Sequence, residues 1–442
     1  MAAGLCTAAA LVPLNSTMIA VALLDIESDL DVSVSAVTWL VSGYLVVMAL
    51  VQPVGGRIGD ALGHRRAFLA GLIAFIAVST LATFAPWFAV LVVLRMAQAL
   101  FGGLMLPSAA ALLREIVPPD RHGRMFGWFG AVMGFAAAVG PVLGGILVAA
   151  FGWHAIFLVN LPAGAVALVL ALRALPHDHP LPVGTMHFDL PGAAAFTAFM
   201  AAIVAALFLA TEGLARWLSA VAAAALLLAV FVWIERRARE PFVALSLFSH
   251  RPYVAATATV FLHNLVLYSL LLIVPILAER ELGLGPSGAG LLIGAMTGAM
   301  MVVSPVGGHL SDSLGRRAPV LIGGAVAAVA TVGLVLVTRP AGMAGTAAFV
   351  ALAGVGVGFA AASLQTTAVE SAPAGMVGVA SGVFMTVRYT GAIAAAGLAA
   401  AVAGSSAFTA GFVVLAVAAT LSIATAGALA TRPAHADAAA SA

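Results

Sequence analysis

Three basic side chains fall inside long apolar stretches of this 442-residue chain: Arg95, His263 and Arg388. A guanidinium in such a place carries a fixed charge and five donors. It can bind an anion, or it can tie helices together through their backbone carbonyls. An imidazole there offers a proton exchangeable near neutral pH, or simply a packed hydrogen bond. His263 adjoins Asn264 and is about one helical turn from Tyr268. Asn15, Trp39, Tyr44, Gln98 and Gln365 place polar handles in other apolar stretches. These ten residues are the candidate lining of an internal cavity. The competing reading is that single polar groups on apolar helices bond helix to helix.

The acids behave differently. Asp60, Glu115, Asp120, Asp178, Asp189, Glu235, Glu240 and Asp312 lie at the ends of apolar runs, and none of the carboxylates falls clearly within one. Glu370 comes nearest, because its run continues almost to it. No nucleophile–base pair stands out, so an enzyme is not expected. A phosphate-binding G-x-x-x-x-G-K-[ST] loop is excluded because the chain has no lysine at all. His177, Asp178, His179, His187 and Asp189 share a short Pro-rich stretch, but their irregular spacing without cysteine reads as a solvated loop. No cofactor, no metal and no nucleic acid is expected. Cys6 is the only cysteine and has no internal disulfide partner.

The elements that must position these residues follow from composition. The chain is 63% hydrophobic and 8% charged, with a mean hydropathy of +1.15. A water-soluble domain is about half apolar and a quarter charged, so the surroundings must be lipid. The apolar runs are continuous, which excludes the alternating pattern of barrel strands and predicts helices of about 20 residues. Fourteen such runs are expected, from 3–24 at one end to 405–430 at the other. With the N-terminus inside, the inner loops hold fourteen arginines and the outer loops hold Arg216, Arg280 and Arg339. The first outer loop is acidic, with Asp25, Glu27, Asp29 and Asp31. This asymmetry predicts cytoplasmic termini.

One pattern is written twice. GGRIGDALGHRR runs from Gly55 to Arg66, and GGHLSDSLGRR from Gly307 to Arg317. Gly56 and Gly63, repeated as Gly308 and Gly315, permit a tight turn and close helix approach. Asp60 and Asp312 are anions at helix junctions, where they can meet helix N-termini or nearby arginines. Arg65, Arg66, Arg316 and Arg317 hold the turns at the inner headgroups. The copies follow the second and tenth runs. They divide the chain into a six-helix bundle (1–175), a linker with two extra spans (176–250), a second six-helix bundle (251–431) and a disordered tail (432–442).

At this point the sequence resembles the major facilitator superfamily, whose loop signature is G-x-L-a-D-r-x-G-r-k. Ala61 and Ser313 stand where the signature has Arg. Leu94 to Pro107 resembles the fourth-span pattern R-x-x-Q-G-x-G, matched at Arg95 and Gln98. Gly140 to Gly164 resembles the antiporter signature G-P-x-x-G-G followed by W-R-x-x-F-x-x-N-x-P, with His154 in the Arg position. In that signature Pro141 can kink the helix, and Gly140, Gly144 and Gly145 make a flat packing face. Arg388 lies within ASGVFMTVRYTG, which also fits the family.

With fourteen spans, the resemblance points to the drug:proton antiporter branch. It implies an all-α polytopic membrane protein of two six-helix bundles plus a two-helix insertion. It further implies a secondary active multidrug or metabolite exporter working by alternating access, a multi-pass protein of a bacterial-type inner membrane. Its partners would be a small-molecule substrate, protons and the bilayer, with a monomer as the simple expectation. The resemblance assigns the two Asp turns to a conformational latch. The branch usually has an acid in its first span, and here Asn15 replaces it within LNSTMIAVALL. His263 is then the proton candidate, and a facilitator without proton coupling is the alternative. A cavity with two arginines and no carboxylate should favour neutral or anionic amphiphiles over lipophilic cations.

Overall fold

The computed structural model describes residues 2–19, 22–32, 34–37, 39–175, 189–209, 214–238, 243, 245–284, 286–337, 342–373, 376–405 and 408–429. His177, Asp178, His179, His187, Glu212 and the tail lie outside them. The described chain is helical throughout. In order the helices are α1 (Ala2–Met18), α2 (Leu23–Asp29), α3 (Val34–Val37), α4 (Trp39–Leu62), α5 (His64–Ala82), α6 (Phe88–Ile116), α7 (His122–Phe151), α8 (Ala155–Leu158) and α9 (Asn160–Ala174). Then come α10 (Leu190–Leu209), α11 (Leu214–Glu235), α12 (Arg251–Arg280), α13 (Pro286–Leu314), α14 (Arg317–Val337), α15 (Gly342–Glu370), α16 (Val377–Ser405) and α17 (Phe408–Ala426). Among the described residues, 11 helices are long and apolar enough to cross a membrane. Large apolar side chains such as Val93, Val302 and Leu336 stand exposed on them, as lipid-facing residues do.

Local sequence explains the ends. Pro118 and Pro119 follow α6, and Pro373 follows α15, where a ring without an N–H cannot extend the ladder. Gly63 and Gly315 turn the chain between α4 and α5 and between α13 and α14 with φ of 97° and 88°. A side chain is strongly disfavoured there. The first apolar run, expected as one helix over 3–24, instead gives α1 ending at Met18 and a separate α2. Asn15 therefore sits in the last turn of α1 and not at its centre.

Chain contacts divide the molecule into two compact units. One is Met1–Val117, Val132–Met186 and Ala374–Met385; the other is Pro118–Ala131, His187–Pro373 and Thr386–Ala442. Each unit thus includes the N-terminal end of one helix, α16 or α7, whose remainder belongs to the other. The packing scheme inside the units repeats. In the first, α6 packs on α4 and α5, and α9 on α1 and α5; in the second, α15 packs on α13 and α14, and α17 on α12 and α14. α10 and α11 pair with each other. An apolar core in the first unit gathers Met18, Leu40, Leu91, Trp153 and Phe157. One in the second gathers Leu270, Val274, Leu334, Val350 and Phe412.

Candidate functional site

The two Asp turns build the same object. Asp60 accepts the backbone N–H groups of Gly378 and Val379, both at 2.8 Å. Asp312 accepts those of Gly123 and Arg124, at 2.7 and 2.6 Å. Each carboxylate caps the start of a helix far away in sequence, α16 or α7, where four N–H groups lack internal partners and the helix dipole favours an anion. Glycines make the approach possible. A Cβ on Gly56 would run into the Gly378 carbonyl, and one on Gly308 into the Gly123 carbonyl.

The flanking charges differ. Asp60 pairs with His64, one turn on, at 3.3 Å. Asp312 pairs with Arg316 at 2.9 Å, and Arg316 also donates to Glu370 from Nε (3.1 Å) and Nη2 (2.7 Å). His122 Nδ1 lies 3.3 Å from Glu370 Oε1. Burial alone would push the Arg316 guanidinium down. The hydrogen bonds and charge of Glu370, then those of Asp312, more than offset this and hold it above its ordinary value. Glu370 is thus the last residue of α15 and serves this network. His64, His122 and Glu370 were not singled out for this role by sequence. Lining up Gly63 with Gly315 sets His64 opposite Arg316, and that offset was the available signal. Arg65 and Arg317 are half-buried beside the turns, and Arg66 is exposed.

The polar residues of the spans separate into two groups. Asn15, Tyr44, Arg95 and Gln98 are all buried and form one knot in the first unit. Arg95 Nη1 donates to the Asn15 and Gln98 side-chain oxygens. Its Nη2 donates to the Asn15 carbonyl at 3.2 Å, and its Nε to the Leu40 carbonyl at 3.3 Å. The guanidinium lies 4.1 Å from the centre of the Tyr44 ring, a cation–π distance. A cation against a carbonyl in the last turn of α1 is also favoured by that helix's dipole. Gln98 continues to Ser79 at 3.0 Å, and Ser79 to Asn160 at 2.8 Å. The knot ties α1, α4, α5, α6 and α9.

In the second unit His263 is buried between α12 and α17, with Nε2 3.2 Å from Ser422 Oγ. Its Nδ1 has no partner among the described residues. Asn264 donates to the Val260 carbonyl at 2.9 Å and accepts from Arg388 Nε at 3.3 Å. Tyr268 packs against the apolar core instead. Gln365 is buried in α15, and Trp39 stands exposed at the start of α4.

In the Gly-Pro stretch, α7 runs unbroken over 30 residues. A Cβ on Gly140 would strike Thr17 Oγ1, so α7 lies hard against α1 there, and Gly144 is buried. Gly145 departs from the expected packing face: a Cβ on it would meet nothing within 4 Å. Among the described residues no neighbour comes close enough on this side of α7 to require a glycine at this position.

A family model described as Major Facilitator Superfamily matches residues 5–396. An uncharacterized MFS-type transporter of Bacillus subtilis, YvkA, is 33% identical over 90% of this chain and 88% of its own. The tetracenomycin C resistance and export protein of Streptomyces glaucescens is 33% identical over 86% of this chain and 71% of its own. Among solved structures, the human organic anion transporter MFSD10 superposes with a TM-score of 0.69 at 16% identity, covering 96% of this chain and 98% of that one. That similarity speaks to the fold alone.

Proposed function

The chain belongs to the Major Facilitator Superfamily, and from that premise we propose that it is a secondary active exporter of amphiphilic small molecules. It is a multi-pass membrane transporter and not an enzyme. In our reading it has fourteen spans and two six-helix bundles. It sits as a monomer in a bacterial-type inner membrane with cytoplasmic termini, and works by alternating access. The observation that carries the reading is the repeated carboxylate cap. Asp60 and Asp312 each cap the start of a helix far away in sequence, α16 or α7. Release of either cap would free the helix start it holds, the kind of local change a transport cycle can use. A relative named for tetracenomycin C resistance and export supports the direction.

Export against a gradient needs an energy source. Each charge moved is worth about 2.3 kcal/mol per 100 mV. The first helix does not provide a proton carrier, since Asn15 faces Arg95 with an amide. We assign proton exchange to His263, whose second ring nitrogen is unpaired among the described residues. The neutral Asn15 favours a second reading, a facilitator without proton coupling. Transport into vesicles across an imposed pH gradient separates the two. Gradient-driven accumulation that disappears in His263→Ala supports antiport. Accumulation untouched by His263→Ala overturns its role, and transport that only equilibrates the substrate establishes the facilitator. Asn15→Asp would pair Arg95 with a carboxylate and is expected to change the pH dependence without abolishing transport.

A further inference from the structure

Arg95 and Arg388 both carry charge within apolar helices, but only one has its donors occupied. Arg95 is buried and bonded from Nε and both Nη atoms. Arg388 is the twelfth of the 23 residues in the apolar stretch Val377–Ala399, and is half-buried. Among the described residues its one hydrogen bond runs from Nε to Asn264 Oδ1. Among the described residues Nη1 and Nη2 have no acceptor, and no carboxylate lies within ion-pair distance. Asn264 is the fourteenth of the 28 residues of its own stretch, Arg251–Ala278. Its amide nitrogen is held by Val260, which turns its oxygen to the guanidinium.

An uncompensated cation at mid-membrane is unfavourable by roughly 2.5–3.5 kcal/mol on insertion scales. The position therefore asks for an anion that the described residues do not supply. The seam between α12 and α16 holds an apolar groove of about 380 Å³ lined by Phe248, Thr257, Phe261, Leu262 and Val387, Val387 being the residue before Arg388. Thr257 turns its hydroxyl to the Tyr253 carbonyl, leaving its methyl outward. Val387 and Leu262 are one and two residues from Arg388 and Asn264.

We propose that Arg388, oriented by Asn264, binds the carboxylate of an anionic amphiphile whose apolar body lies along the α12–α16 seam. This rests on the transporter reading and names its substrate class: a single acidic head on an apolar frame, held by the two free Nη groups in a bidentate pair. Arg95 takes no part, because its donors are already used.

The test measures binding separately from transport. The purified chain in phosphatidylcholine nanodiscs is titrated with a carboxylated amphiphilic dye and with its methyl ester. The acid should bind about tenfold tighter or better. Arg388→Gln should remove that preference and leave ester binding unchanged. Asn264→Asp keeps the shape but gives Arg388 an internal carboxylate, and should remove the preference in the same way. Equal binding of acid and ester by the native chain, absence of acid binding, or parallel loss of both ligands in Arg388→Gln would overturn the proposal. Displacement of the acid by phosphatidylglycerol in the disc would assign the cation to a lipid headgroup and also overturn it. Binding with the predicted preference but without transport in vesicles would leave Arg388 in this role and defeat the exporter reading.

Discussion

The turn at Asp60 and the turn at Asp312 share a geometry and differ in how it is reinforced. In both, one carboxylate accepts two N–H groups at a helix start, and a glycine pair brings the backbones together. In both, a left-handed glycine reverses the chain. Around Asp312, however, Arg316 bridges to Glu370, and Glu370 to His122. Beside Asp60 stands the imidazole of His64. The cap and the glycines are the common part of the repeat, and the Arg316–Glu370–His122 network is seen at the second copy. A carboxylate held by fixed charge should release its helix less readily than one flanked by a histidine. The first turn is therefore the one expected to open more easily.

The largest test of that difference is removal of the carboxylates. Asp312→Ala leaves two N–H groups of α7 without their cap and takes one partner from Arg316. Hydrogen bonds to a charged group are worth about 1.5–3 kcal/mol each, and they are not additive within a network. We expect Asp312→Ala to lower stability by about 3 kcal/mol or more and Asp60→Ala by about 2 kcal/mol, read as thermal midpoints in detergent. Equal losses, or the reverse order, would remove the asymmetry.

A smaller effect should be symmetric. Gly56→Ala and Gly308→Ala drive a methyl into the opposite backbone carbonyl, an overpacking worth about 1–3 kcal/mol. Because no charge is involved, the two should match within error in both stability and transport. A large difference between them would show that the crossings, and not the charges, distinguish the turns.

The sequence makes some of this legible and hides the rest for physical reasons. Continuous apolar runs announce helices, because lipid leaves backbone groups no other partner. The Asp and Gly of the repeat are legible because one backbone solution needs the same residues twice. The end of α1 at Met18 is not, since apolarity continues past it. Nor is the saturation of Arg95 legible. Its partners Asn15 and Leu40 come from 80 and 55 residues away, so spacing alone gives a cavity with two arginines and no carboxylate and says nothing of their bonds. The structure shows the Arg95 donors bonded within the first unit, and Arg388 bonded from Nε to Asn264. His64 went unnoticed beside Arg65 and Arg66, which look like the counterparts of Arg316 and Arg317 until the glycines are superimposed.

The finest test exchanges only that residue. His64→Arg gives the first turn the side chain of the second at the same distance from its carboxylate along the helix. The new guanidinium would face Asp60, while Glu115, which stands eight residues before Gly123 as Glu370 stands before Gly378, is exposed where Glu370 is half-buried. It should add a fixed charge without a network. Pairs of this kind contribute about 0.2–1 kcal/mol where solvent reaches them, and the Asp60 and His64 side chains remain 9% and 18% accessible. A thermal gain of that order, weakened by added salt, is the expected outcome. A gain that makes Asp60→Ala as damaging as Asp312→Ala in the same background would mean that one flanking residue carries the whole difference between the turns. A gain too small to do so would locate that difference in Glu370 and His122.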